Sequence, residues 1–190
     1  MPLELTRADA VALMEKHLAS EALRWHSLAS EAVLRALALH LGKSNEEAEH
    51  WAVLGLLHDL DYAETENTPE KHGLITAEYL AGYGFSEDDL WAIRRHNAEM
   101  LNLTRESQLD LALTCGETVT GLITAAALVQ PDKKVASVKP ASAVKKMKDK
   151  AFARSVNRDL IKLCEKLDLP LAEFVALAVS AMTELENSKN

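Results

Sequence analysis

The sequence predicts an all-α protein, a bundle of eight or nine helices forming one domain over residues 1–190, and three observations predict it. Only 7 Gly, 5 Pro and 5% aromatic residues stand against long Ala/Leu/Glu-rich stretches, which argues against a β-sandwich, a collagen-like chain or a disordered polymer. Apolar residues recur with a 3.6-residue period along most of the chain. No internal repeat or low-complexity linker divides the 190 residues, and their 48% hydrophobic content is enough for one substantial core.

Each element has its own signal. Thr6 followed by Asp9 resembles a capping box, and Ala10, Leu13, Met14 and Leu18 then keep helical spacing, which places a first helix over about 7–19. From Ser20 the series Leu23, Trp25, Ala29, Val33, Leu34, Leu37, Leu41 predicts a long second helix that stops at Gly42, a residue suited to the left-handed position after a helix. Ser44-Asn45 caps a third helix, with Glu46, Glu47 and Glu49 near its positive end, running to Leu57-His58-Asp59. Pro69 suits the first turn of a fourth helix that contains His72 and ends near Gly82–Gly84. Ser86-Glu87-Asp88-Asp89 opens a fifth, which carries His96. Arg105 to Gln130 reads as a long buried helix halted by Pro131. Pro140 begins a short basic helix, Asn157 caps the segment 158–167, and after Leu169-Pro170 a last apolar helix runs from Leu171 to about Leu185.

Composition also bounds the function. The net charge of −8 discourages a nucleic-acid role. It conceals a reversal: the segment 133–158 holds nine basic residues and one acid, net +8, which leaves the remainder at −16. Such a segment either draws a phosphorylated ligand to one edge or is a solvated helix face. Cys115 and Cys164 lie 49 residues apart, with no CxxC motif and no disulfide framework, which fits a reducing compartment. Met1-Pro2-Leu3-Glu4 is not the start of a basic, then apolar leader, and the longest apolar run, Val119–Val129, is short of the ~20 residues that span a bilayer. The expectation is a cytoplasmic protein without a membrane span; the sequence sets no oligomeric state.

All seven histidines precede residue 97. His58 and Asp59 stand side by side at the end of an apolar helix, where two buried polar side chains need partners, either a shared metal ion or hydrogen bonds from neighbouring helices. His26 lies upstream on the apolar side of its helix; His72 and His96 lie downstream on other elements. This order, together with Gly55-Leu56-Leu57-His58-Asp59-Leu60-Asp61-Tyr62 and Thr120-Gly121-Leu122-Ile123-Thr124-Ala125, resembles the HD-domain superfamily of metal-dependent phosphohydrolases, and within it the small bacterial HDIG-type proteins. The resemblance covers roughly residues 20–165, with Asp61 where glycine is common in that variant.

The resemblance implies that His26, His58 and Asp59 are first-metal ligands, with Asp59 bridging to a second ion, and that His72 and His96 complete a two-metal site. It places the last carboxylate, normally aspartate, on Glu117. Asp110, two turns earlier on the same helix, is the alternative carboxylate if the register differs. A set of imidazoles and carboxylates suits one or two divalent ions, Mn, Fe, Zn or Mg, and needs no thiolate from Cys115, which reads as a core residue. His17, His40 and His50 match no motif. Trp25, Trp51 and Trp91 read as core or rim aromatics, with Trp25 a candidate for the pocket wall because it adjoins His26.

The implied chemistry is hydrolysis of a phosphate mono- or diester, a nucleotide or related phosphorylated metabolite, by water activated between two cations, with His58 and Asp59 as the catalytic pair. Lys133, Lys134 and Lys139, after the long buried helix, and Arg94 and Arg95 beside His96, are candidate phosphate clamps. The alternative is an HD-fold binding or regulatory module whose turnover the Glu117 exchange has weakened.

Overall fold

The computed structural model describes residues 5–188; Met1 to Glu4, read above as lacking a leader, lie outside them. In chain order the helices are α1 (Arg7–His17), α2 (Glu21–His40), α3 (Asn45–Leu57), α4 (Tyr62–Thr65), α5 (Leu74–Leu80), α6 (Glu87–His96), α7 (Ala98–Leu101), α8 (Gln108–Leu128), α9 (Pro140–Lys146), α10 (Arg158–Ile161) and α11 (Leu171–Ser188). The described residues contain no strand. α4, α7 and α10 are single turns of four residues, so eight helices of seven residues or more carry the architecture. The fold is the expected all-α bundle.

Four of the main helices begin the same way. Thr6, Ser44, Ser86 and Ser107 each accept a hydrogen bond from the backbone three residues on, and Asp9, Glu47, Asp89 and Asp110 reach back to the cap N–H. Each box satisfies two donors that a helix start leaves unpaired. The last of them sets the start of α8 at Gln108 rather than Arg105, and it explains Asp110. That carboxylate is fully buried and accepts from the N–H groups of Glu106 and Ser107 at 2.7 and 2.9 Å, so it serves the cap and not the histidines.

Two elements depart from the sequence reading. Pro69 starts only a 3₁₀ turn, Pro69–Lys71; His72 is extended, Gly73 is left-handed at φ +83, and α5 begins at Leu74. His72 therefore stands on a connection between helices instead of inside one. After α10 the chain tightens to a 3₁₀ helix over Lys162–Leu167, which Asp168 ends in the left-handed region.

α2 packs on α3, α8 and α11, and α8 touches α3, α6, α9, α10 and α11 as well, so these two long helices form the spine. The buried apolar residues from Leu5 to Met182 make one continuous cluster. α8 is 21 residues long and apolar enough to cross a bilayer, yet 67% of its apolar window is buried inside the fold.

α2 and α3 come close together at Gly55. A Cβ there would lie 2.8 Å from the Ser30 carbonyl oxygen and 3.0 Å from its carbon, both backbone atoms of α2. The close approach brings His26 and His58 onto facing surfaces. Gly55→Ala forces the two helices apart, and urea denaturation is expected to show a loss of about 1–3 kcal/mol, the usual cost of overpacking. An unchanged midpoint would mean that the helices slide without cost.

Candidate metal centre

Six elements deliver side chains to one place: His26 from the second turn of α2, His58 from the end of α3, Asp59 from the turn that follows, His72 from the connection before α5, His96 from the last residue of α6, and Glu117 from the middle of α8. The Nε2 atoms of His58, His72 and His96 lie 3.2, 3.3 and 3.4 Å from Asp59 Oδ1, and His26 Nε2 lies 3.3 Å from Oδ2. The nitrogens also face one another, His26 and His58 at 3.2 Å, His72 and His96 at 2.9 Å. Glu117 Oε2 is 3.7 Å from His26 Nε2, and its Oε1 accepts from the Thr118 hydroxyl. Two overlapping sets, His26 with His58 and Glu117, and His58 with Asp59 and His96, hold their candidate donor atoms within 4.8 Å of each other.

The rings point inward because each Nδ1 is held from behind. His58 Nδ1 donates to the Gly55 carbonyl at 2.8 Å, and His96 Nδ1 to the Ile93 carbonyl, each three residues back on its own helix. His26 Nδ1 sits 2.8 Å from the Thr120 hydroxyl, which donates its own hydrogen to the Glu117 carbonyl and so accepts from the ring. His72 Nδ1 meets Asp61 Oδ1 at 2.7 Å. With the outer nitrogens acting as donors, the inner ones present lone pairs, the arrangement in which imidazole ligates a metal.

The segment carrying His72 is fastened to the end of α6. Asn97 donates to the carbonyls of Pro69 and His72 at 2.8 and 3.1 Å. Gly73 lies so close that a Cβ would be 2.9 Å from the Ile93 carbonyl and 3.2 Å from the His96 ring, and its positive φ favours glycine again. Arg105 donates to the His96 carbonyl at 2.9 Å and pairs with Glu99, fixing the other side.

Electrostatics match a site that wants positive charge. Burial alone would raise Asp59, but the surrounding histidines hold it well below the usual carboxylate range. Burial opposes charge on His26 and His72 too, yet the facing carboxylates raise both, His72 to about 10. Burial drives His58 down to about 3, so it is neutral, and raises Glu117. Nitrogen lone pairs and carboxylate oxygens converging on one point fit one or two divalent cations.

The site opens on a cavity of about 620 Å³. Its far wall comes from the end of the basic segment, Ser155, Val156 and Asn157, where Val156 lies against Gly121. The guanidinium of Arg158 gathers the carbonyls of Asp149, Phe152, Ala153 and Val156 and so shapes this loop.

The expected clamps are elsewhere. Lys133 and Lys134 are exposed beyond the end of α8, which at 1.5 Å per residue runs about 16 Å past Glu117, and they do not line the cavity. Arg95 is held by Glu106 at 2.8 Å and Asp110 at 3.1 Å, and both Arg94 and Arg95 lie over the Trp91 ring. Successive helix residues point about 100° apart, so with His96 aimed inward its two predecessors face away. Trp25 donates to the Thr124 hydroxyl and is not part of the cavity wall. Trp51 is in the core; Trp91 is on the rim. His17 packs on Tyr79, His40 is exposed, and His50 pairs with Asp89 at 2.8 Å. Cys115 is a buried free thiol. Thr120, Asn97 and Arg105 support the site without a site signal of their own in the sequence: Thr120 lies within the Thr120–Ala125 motif, and the other two act through backbone carbonyls 9 to 28 residues away.

Two outcomes are expected. Glu117 reaches the cluster only with its full length, so Glu117→Asp should weaken metal binding by about 10-fold or more, measured by isothermal titration at fixed pH; tighter binding would show that the longer side chain had spoiled the site. Because the facing carboxylates raise His72 to about 10, it holds a proton near neutrality without an ion; metal must displace that proton, and affinity should rise between pH 6 and 9. Titration in buffers of different ionisation enthalpy should detect proton release; its absence would contradict the raised values.

No curated protein and no solved structure matches the chain. The family model of the HD domain does match, over residues 25–117. That span opens one residue before His26 and ends on Glu117, enclosing all six residues that converge here, and the chain accordingly belongs to the HD-domain superfamily of metal-dependent phosphohydrolases.

Proposed function

We propose that the protein hydrolyses a small phosphate mono- or diester, with one or two divalent ions held around Asp59. The observation that carries this reading is the convergence of four imidazole Nε2 atoms within 3.4 Å of the two Asp59 oxygens. When bound, such ions supply Lewis acidity and lower the pKa of a coordinated water toward neutrality. Asp59 presents one oxygen to His26 and the other to His58, His72 and His96, the disposition of a bridging carboxylate.

The cavity supports a substrate of low charge. Among the described residues no Lys or Arg lines it, and its ionisable wall includes Asp59, Glu99 and Glu117. A polyphosphate tail would meet no described Lys or Arg there, only the histidine cluster and the ions it would hold. Leu23, Met100, Val156 and Leu160 form an apolar wall, and Asn97 and Asn157 add hydrogen-bonding groups, which suits a neutral organic group such as a nucleoside or a related metabolite. Tyr62 stands edge-on to His72 with ring centroids 5.5 Å apart, at the same wall.

The segments Gly55–Tyr62 and Thr120–Ala125 support an HDIG-type assignment within the superfamily. The continuous core supports one domain over residues 1–190, and two buried free thiols support a reducing, cytoplasmic setting. A second reading, a binding module with little turnover, is favoured by one feature: Glu117 shares its carboxylate with Thr118 and stays 3.7 Å from His26.

Purified protein loaded with Mn²⁺ should release phosphate from nucleoside monophosphates or p-nitrophenyl phosphates. Chelation should stop the reaction, and Asp59→Ala should lower the rate by more than about 100-fold while circular dichroism keeps its helical signal. Binding of metal and phosphoester without turnover would establish the second reading instead.

A further inference from the structure

We propose that Asp61 is a positioning residue for the metal centre, fixing the His72 ring so that its hydrogen stays on Nδ1 and its Nε2 faces Asp59 and His96. The inference rests on the metal-site reading above. His26, His58 and His96 are each anchored through a helix: two donate to a carbonyl one turn back, and the third meets a threonine of α8. His72 has no such support, because it lies on the connection between the 3₁₀ turn and α5 with an extended backbone. Its Nδ1 depends on Asp61 at 2.7 Å, with the Thr65 hydroxyl farther off at 3.5 Å.

Asp61 is fully buried and its hydrogen bonds leave little choice of role. Oδ2 accepts from the backbone N–H groups of Gly73 at 2.8 Å and Thr76 at 2.9 Å. The Asp61 N–H donates to the Thr76 hydroxyl at 3.0 Å, and its carbonyl accepts from the Thr65 hydroxyl at 2.8 Å. These contacts fix the carboxylate against the start of α5 and leave Oδ1 for His72. An ionised carboxylate oxygen can only accept, so the hydrogen between Oδ1 and Nδ1 belongs to the ring, and Nε2 is the atom free to ligate.

Asparagine makes this testable because it keeps the shape and reverses one half. In Asp61→Asn the amide oxygen is claimed by two backbone donors, so the NH₂ group faces His72 Nδ1. That nitrogen must then accept, so the neutral ring keeps its one hydrogen on Nε2, where it blocks ligation. The control is Thr76→Val, which removes the hydroxyl partner of the Asp61 N–H and leaves both carboxylate oxygens in place.

Two measurements decide the matter. The first is the proton resonance of His72 Nδ1–H in ¹⁵N-labelled, metal-free protein, assigned by its loss in His72→Gln. It is expected in the wild type and in Thr76→Val and to be absent in Asp61→Asn. The second is a Co²⁺ titration followed by visible absorption, in which Asp61→Asn should weaken binding by about 10- to 100-fold and Thr76→Val should not. Retention of the resonance or of wild-type affinity in Asp61→Asn overturns the proposal. So does an equal loss in Thr76→Val, which would assign Asp61 to loop stability alone. A wild-type chain that binds no Co²⁺ overturns the functional reading instead, and the resonance by itself then decides whether Asp61 orients the ring.

Discussion

A carboxylate in the interior among imidazoles is the constraint from which the rest of this structure follows. Asp59 is 5% exposed and His58 entirely buried, and charge is expensive to bury without a partner of opposite sign. Four nitrogens are turned toward it, with Glu117 at the edge. With every Nδ1 acting as a donor on the far side, the inner face is a set of lone pairs and negative oxygens, which repel one another unless protons or metal ions stand between them. The facing carboxylates raise both His26 and His72, and His72, raised to about 10, carries a proton in the metal-free form of that site.

Holding such a set together requires backbone placement that side-chain attraction does not supply. Gly55 lets α3 approach α2 at backbone distance, and Gly73 lets the His72 connection lie against the end of α6. His58 and His96 are each the last residues of a helical run, where the carbonyl one turn back serves as the anchor for Nδ1. One local device thus orients two ligands, and it works because helix C-termini leave carbonyls unpaired. α8 contributes on two levels: Glu117 faces the cluster, and Thr120, nearly one turn later, holds His26 from behind.

What was legible in the sequence was local. Three of the four capping boxes lie at starts that the Ser/Thr and acidic residues already marked, and the apolar period located α2, α3 and α8. The histidines and Glu117 were legible through their resemblance to spaced motifs, since no local rule says that His26 and His58 meet. What escaped depends on tertiary contact. Pro69 and the following residues read as a helix, but the positive φ of Gly73 and the grip of Asp61 on the start of α5 break it. Arg94 and Arg95 adjoin His96 in sequence yet face elsewhere, because rotational phase on a helix is set by what the helix packs against. Asp61 itself stood out only as a departure from glycine, and its partners lie 11 to 15 residues away.

The same geometry limits what the site can accept. Of the nine basic residues between 133 and 158, the lysines are spent on solvent or on weak surface pairs, and Arg158 is turned inward to gather loop carbonyls. The segment does reach the cavity, but it arrives as Ser155, Val156 and Asn157. On the phosphoester reading proposed above, neutralisation of the phosphate falls to the end of the cavity where the histidines cluster, and the remaining described wall is apolar, neutral polar or acidic. On that reading, electrostatic attraction orients a ligand as well as binding it: the anionic group is drawn to the imidazole cluster and the ions it would hold, and the uncharged remainder is left against Leu23, Met100 and Leu160.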